Sequence, residues 1–434
     1  MPFNVPVASA GSITAPRHAF SEANQWLAWL PPGRIFISIQ EGAGARRLPA
    51  LTTQNFTAGS GLADYTKKLA GTARALLSAG GNLQSTGSGE QIDAVKLEAA
   101  IAARTASNAQ SAPSALEARV AQVLQAANSA LRKSAEGNAG DITPLERSGL
   151  EVIVQLVGRP ALRYIDGHVQ LPPTSLAENQ LWEVFVTTKR QQIDALSASV
   201  ARLNLEQPGG ASTHLGTGWR LGKDLLVTNR HVAANMVADV SRTHDEWQLT
   251  NHQYVADFAA TDQPSAPRVF AIEALAYCAS EQYVDAAVLR LKPSAAAFPP
   301  PLEPDFDAAA IGSAPASAGG FAGTEVYVVG HPWQPHATDE ITSIFGDADG
   351  RKRCAPGMTT ATRDEGPIFD HDCSTLRGNS GSPVVNRWTH RVVGLHFGGQ
   401  TSDSAGNLGE ANVAVAFSML AMHRFAAILK AGQV

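Results

Sequence analysis

Beyond Pro208-Gly-Gly210 the chain changes its period. Ahead of that point apolar residues recur every three or four positions. After it come short apolar runs separated by Gly, Pro, Asp and Asn: Leu225-Leu-Val-Thr228, Ala286-Ala-Val-Leu-Arg-Leu291, Glu325-Val-Tyr-Val-Val329, Ser382-Pro-Val-Val385 and Arg391-Val-Val-Gly-Leu395. A three-or-four spacing suits a helix with one buried face, whereas short β-branched runs bounded by turn residues suit strands. The stretch 208–434 is therefore expected to be all-β, a barrel or a sandwich. At roughly 100–200 residues per domain it has room for more than one core. Only three cysteines occur in the chain, Cys278, Cys354 and Cys373. So sparse and odd a set excludes a disulfide framework, and the fold must stand on burial alone. The thiols are expected to be buried, and the last element, 417–430, reads as a helix.

The front half divides in two. Residues 1–90 are weakly patterned, with Arg34-Ile-Phe-Ile-Ser-Ile-Gln40 alternating like a short strand and 79–90 rich in Gly and Ser like a linker. Residues 91–207 read as mainly α-helical. Ser114-Ala-Leu-Glu117 has the form of a capping box, followed by an apolar face of Leu116, Val120, Val123, Leu124, Ala127 and Leu131. Thr143-Pro-Leu-Glu146 repeats the start signal with Pro at the first helical position. Its apolar run, Leu150 to Val157, ends at Gly158-Arg-Pro160. Trp182, Phe185, Lys189, Ile193, Leu196 and Val200 outline an amphipathic helix of about six turns. The expected units are thus 1–90, 91–207 and 208–434.

The net charge of −5 shows no basic excess that would suit nucleic acid or an anionic membrane. No run approaches the ~18–20 apolar residues of a spanning helix. Trp26-Leu-Ala-Trp-Leu30 is too short for a secretory core. A cytoplasmic location is the expectation.

Chemistry concentrates in three places. In Arg377-Gly-Asn-Ser-Gly-Ser-Pro383 a serine sits between turn residues, which would expose its hydroxyl and let neighbouring N–H groups converge on one point. By itself the segment reads equally well as an ordinary turn. A serine hydroxyl needs a base, and Leu225-Leu-Val-Thr-Asn-Arg-His-Val-Ala233 delivers His231 at the end of an apolar strand. The base needs a carboxylate to fix its tautomer. Asp285 directly precedes the strand Ala286 to Leu291, where a charge must be paired. The order His231, Asp285, Ser380 is one of those in which such triads occur, and it points to a double β-barrel.

Gly216-Thr-Gly218, Val227-Thr-Asn-Arg-His-Val232, Val284-Asp-Ala-Ala-Val288, Val329-Gly-His-Pro332, Asp372-Cys-Ser-Thr375, Gly378-Asn-Ser-Gly-Ser-Pro383 and Val393-Gly-Leu-His-Phe-Gly-Gly399 occur in one order. Over about 210–434 they resemble the chymotrypsin-like serine peptidases, in particular the bacterial glutamyl-endopeptidase branch. The resemblance implies two six-stranded antiparallel barrels with the site between them. It implies His231 as general base and acid, Asp285 as orienting carboxylate and Ser380 as nucleophile. The backbone N–H groups of Gly378 and Ser380 would form the oxyanion hole, with no metal and no cofactor.

The same resemblance puts Ser374, Thr375 and His396 in the primary specificity pocket. None is an acid, so a preference for Lys or Arg is not expected, and His396 with Thr375 suits a substrate carboxylate. Asn379, ahead of the nucleophile, cannot pair with a liberated N-terminus as an Asp does in digestive zymogens. The segment Leu150 to Leu205 is similar to sequences found ahead of trypsin-like domains in bacterial intracellular proteins. The crowded Phe369-Asp-His-Asp-Cys373 matches no standard zinc spacing. The expected partners are a protein or peptide substrate and a protein bound through the helical front region. The rival reading is an inactive peptidase-fold scaffold.

Overall fold

The computed structural model describes residues 83–86, 89–93, 113–143, 145–147, 159–171, 179–281, 283–307, 323–333, 348–362, 366–399, 412–420 and 423–432, with scattered positions before 160. The strand expected at Arg34 to Gln40 and most of the run Leu150 to Val157 lie outside the described residues.

Two strands, β1 (Leu83–Thr86) and β2 (Gly89–Ile92), pair antiparallel where a linker was expected. Ile92 is buried and its N–H donates to Asn128 Oδ1 at 2.9 Å. Asn128 lies on helix α1 (Pro113–Ala135), which takes Ser114 into its first turn instead of leaving it ahead as a cap. The second start signal is realised as a reciprocal capping box. Thr143 N–H donates to Glu146 Oε2 at 2.8 Å, and Glu146 N–H donates to Thr143 Oγ1 at 3.3 Å. Hairpin strands β3 (Leu162–Ile165) and β4 (His168–Val169) follow, then helix α2 (Asn179–Ser197). The helix stops short of the expected Val200, which pairs with Trp219 as the first residue of strand β5 (Val200–Glu206).

Six strands form a closed antiparallel barrel in the order β10-β7-β6-β5-β8-β9. They are β5 with β6 (Ser212–Gly222), β7 (Leu225–Thr228), β8 (Gln253–Asp257), β9 (Val269–Cys278) and β10 (Ala287–Leu291). Its first strand therefore falls ahead of the 207/208 boundary expected from sequence. Pro208-Gly-Gly210 is the turn of the β5–β6 hairpin, with Gly209 and Gly210 at φ of 100° and 87°, a conformation that favours glycine.

The second barrel contains β11 (Glu325–Gly330), β12 (Arg353–Thr362), β13 (Ile368–His371), β14 (Pro383–Asn386), β15 (Val392–Gly399) and β16 (Asn412–Ala416). Their order is β11-β14-β15-β16-β13-β12, and pairing of β11 with β12 closes the ring. The β3–β4 hairpin adds to β12 through the pairs Arg353↔Arg163 and Cys354↔Leu162. A single helical turn, 417–420, leads to helix α4 (Arg424–Ala431), with residues 421 and 422 outside the description; α3 (Arg230–Ala234) belongs to the site below.

Alternating side chains explain why the strands read as continuous apolar runs. Val326, Val328, Val384 and Val393 point into the second barrel. Tyr327, Val329, Val385, Val392 and Leu395 point out of it, into a core shared with Val227 and Val288 of the first barrel, with Trp182, Phe185 and Ile193 of α2, and with Phe425 of α4. Each such strand is buried on both faces. All three cysteines are buried free thiols.

Lys352 ties the parts together: its side chain is buried and Nζ donates to Ser197 O at the end of α2 (2.7 Å) and to Phe258 O of the first barrel (3.0 Å). Among the described residues no helix is long and apolar enough to cross a membrane. Because Trp182 fills the shared core, Trp182→Ala should lower the stability of the barrels by about 3–5 kcal/mol, read by denaturant titration of barrel fluorescence or circular dichroism. An unchanged midpoint would mean that α2 is only an appendage.

Candidate active site

Neighbouring strand ends bring His231 and Asp285 together. Strands β7 and β10 pair, with Ala287 opposite Thr228. Beyond Thr228 the chain passes through extended Asn229 into α3 and presents His231 in its first turn, while Asp285 lies just ahead of β10. Residues 54 apart in sequence thus meet at two points. His231 Nδ1 lies 2.5 Å from Asp285 Oδ2, and His231 N–H donates to Asp285 Oδ1 at 3.0 Å. Asn229 Nδ2 donates to the Asp285 carbonyl at 2.8 Å. Burial by itself would raise the Asp285 carboxyl, but the His231 ring and backbone N–H hold it below the usual carboxylate range. With the carboxylate on Nδ1, that nitrogen carries the proton and Nε2 offers a lone pair. The His231 side chain keeps 37% of its surface accessible against 17% for Asp285, so the ring faces outward and the carboxylate stands behind it.

Ser380 lies in the turn between β13 and β14. Gly378 and Gly381 flank it at φ of 87° and 90°. A Cβ on Gly381 would strike the Thr217 carbonyl, and one on Gly378 would strike the His331 carbonyl and the His214 ring. Thr217, on β6 of the first barrel, holds this turn in place. Its N–H donates to the Ser380 carbonyl at 2.8 Å and its Oγ1 to the Gly378 carbonyl at 2.8 Å. The amides of Asn379, Gly381 and Ser382 are taken by carbonyls. Those of Gly378 and Ser380 have no acceptor among the described residues. Gly216 lets the two halves close, since a Cβ there would meet Val232, beside His231, and the Ser380 carbonyl. Sequence reasoning gave Thr217 no role, although the glycines on both sides of it were the visible signal.

The expected pocket residues are neighbours of this turn. His396 on β15 exchanges backbone bonds with it: Gly381 N–H donates to the His396 carbonyl and His396 N–H to the Ser382 carbonyl. His396 Nδ1 lies 3.1 Å from Nε2 of His371, a buried ring from Phe369-Asp-His-Asp-Cys373 that sequence reasoning left unassigned. Thr375 Oγ1 donates to Asn412 Oδ1 at 2.6 Å. Ser374 turns elsewhere, its hydroxyl donating to the Arg159 carbonyl at 2.6 Å.

Burial keeps four rings around the turn neutral. It lowers His214 and His371 to about 3, with Arg202 adding to the effect on His214. It also lowers His331 and His396 well below the ordinary histidine value, with Lys352 adding at His331 and His371 at His396. Below an unfolded value near 6.5 the unfolded chain binds protons that the folded chain refuses. The stability these rings carry is therefore present above that pH and lost as pH falls. The melting temperature should drop between about pH 7 and pH 5, and His371→Gln should flatten the slope by about 1.4 kcal/mol per pH unit. A pH-independent melt would show the rings to be solvated.

Residues 216–395 match the family described as the trypsin-like peptidase domain. Glutamyl endopeptidase of Staphylococcus aureus (strain MW2) is 28% identical over 214 residues, 48% of this chain and 54% of its own. The same-named protein of strain MRSA252 is 28% identical over 207 residues, 46% of this chain and 47% of its own. The chain spans about half the length of the curated relatives it matches. Among solved structures, the active form of the Rv3671c protease from M. tuberculosis is similar at 18% identity and a TM-score of 0.33, covering 55% of this chain and 84% of that one. The family match, to the trypsin-like peptidase domain, spans residues 216–395, the stretch that holds His231, Asp285 and Ser380.

Proposed function

We propose that the chain is a serine endopeptidase acting on protein or peptide substrates through His231, Asp285 and Ser380. The observation that carries this reading is the two-point contact of His231 with Asp285 beside the glycine-flanked Ser380 turn. Ser380 Oγ attacks the scissile carbonyl carbon as His231 Nε2 takes its proton. The N–H groups of Gly378 and Ser380, which have no acceptor among the described residues, receive the oxyanion. His231 then hands the proton to the leaving amine, and water repeats the sequence on the acyl-enzyme. Asp285 stays ionised throughout and stabilises the imidazolium.

We further propose a preference for Glu or Asp before the scissile bond. If His371 Nε2 donates to His396 Nδ1, His396 keeps its own proton on Nε2, a donor for a carboxylate. The Thr375 hydrogen is committed to Asn412, so Thr375 would shape the wall and leave the bond to His396. In the same reading, any regulatory or partner-binding part lies ahead of Arg159, because the segment from Arg159 onward is built into the barrels.

Purified chain should cleave casein and label at Ser380 with a fluorophosphonate, and Ser380→Ala should cost about 10⁴-fold or more in rate. Absence of both signals overturns the peptidase reading. His396→Ala should abolish cleavage after Glu while labelling persists; surviving Glu cleavage removes the acidic-pocket reading. A carboxylate arriving beside a neutral, depressed histidine favours proton uptake, so the ratio of Glu to Leu cleavage should rise from about pH 8 to about pH 6. A flat ratio would mean that His396 does not meet the carboxylate.

A further inference from the structure

Strand β13 runs on into Asp372, Cys373, Ser374 and Thr375, and so into the Ser380 turn. Asn412 holds that short connection at Cys373 and Thr375, and a second anchor comes from 213 residues earlier in the chain. Arg159 Nε donates to Asp372 Oδ1 and Arg159 Nη2 to Asp372 Oδ2, both at 2.7 Å, as two parallel charge-assisted bonds. The backbone carbonyl of the same residue accepts the Ser374 hydroxyl. One residue thus grips two alternate positions of the connection, by side chain and by main chain. The Arg159 side chain is 5% exposed and its guanidinium carbon lies 5.8 Å from the centre of the Trp182 ring of α2, so it does not swing freely.

Arg159 is itself held by both barrels. The residues after it pair with β12, and beyond them Asp166 N–H donates to the Asp262 carbonyl of the first barrel while Asp262 N–H donates to the Tyr164 carbonyl. Arg163 Nε adds an ion pair to Asp262 Oδ2 at 2.8 Å. On the other side Met358 N–H donates to Asp372 Oδ1 at 2.7 Å. The carboxylate therefore sits between a fixed cation and a fixed strand. Losing the cation leaves a half-buried carboxylate with one backbone donor, and the connection can then shift to give it more water.

Resting on the peptidase reading, we infer that Arg159 is a positioning residue for the substrate-binding wall. Substrate recognition would then depend on a residue ahead of both barrels, while chemistry at Ser380 would not. The carboxylate anchor that digestive zymogens build from a cut N-terminus has no equivalent at Asn379. Here an internal arginine orders the neighbouring wall from the moment the chain folds.

The test uses the full chain with Arg159→Gln and Arg159→Lys, each checked by thermal melting. The expected result for Arg159→Gln is a rise of about tenfold or more in KM for the preferred peptides, a flattened preference at the residue before the scissile bond, and fluorophosphonate labelling of Ser380 within about twofold of wild type. Arg159→Lys, which keeps the charge but loses the parallel pair, should fall between. Arg159→Met with Asp372→Met removes both charges and should recover the melting temperature but not the KM. This pair also serves if the glutamine variant unfolds. Variants that melt lower but keep wild-type KM and preference would make the ion pair purely structural and overturn the inference alone. A wild-type chain that neither labels nor cleaves would overturn the peptidase reading, and this inference with it.

Discussion

Thr217 commits every polar atom it has to one junction. Its N–H and hydroxyl hold the carbonyls of Ser380 and Gly378, its hydroxyl oxygen accepts the His331 N–H at 3.1 Å, and its own carbonyl accepts the Thr228 hydroxyl at 2.7 Å. Thr228 is the last residue of the strand that leads to His231. A single buried residue, through main chain and side chain together, therefore connects the end of the His231 strand with the turn that bears Ser380. Each of these bonds is worth about 1 kcal/mol net, but leaving any partner unpaired in a dry site costs more. The glycines at 216, 378 and 381 follow from the same constraint, since a Cβ at any of them would occupy space that the junction needs.

Burial on both faces has a second effect. The outer faces of the strands are covered by one another, by α2 and by α4, so the polar groups among them are desolvated. Lys352 answers with two carbonyl acceptors, and burial lowers its ammonium to about 7. The neutral histidines answer by refusing a proton. His371 and His396 are buried beside the Ser380 turn and lie 3.1 Å apart, ring nitrogen to ring nitrogen, without a buried charge.

What the sequence made legible was whatever is local. Strand ends announce His231 and Asp285, flanking glycines announce Ser380, and the box Thr143 to Glu146 forms as its spacing suggests. Two readings failed because turn chemistry looks alike in different settings. Pro208-Gly-Gly210 has the composition of a boundary between units and is a hairpin turn inside a barrel. The Gly- and Ser-rich stretch before residue 90 has the composition of a linker and contains a hairpin. Val200 continued the helical spacing by coincidence, and its pairing with Trp219 decided the matter. Arg159 and Asp372 left no local trace, because an ion pair across 213 residues has no period.

Strand β5 sits between β6 and β8 in the closed ring. A chain begun at residue 208 would lack it, along with the hairpin that extends β12. Strand β6, of eleven residues, and strand β8, of five, would then each show bare N–H and C=O groups to solvent along the edge that β5 covers. Such a fragment would be a template for pairing with its own copies. The segment ahead of the apparent boundary thus acts as the seam that keeps a sheet without edges from becoming one with two.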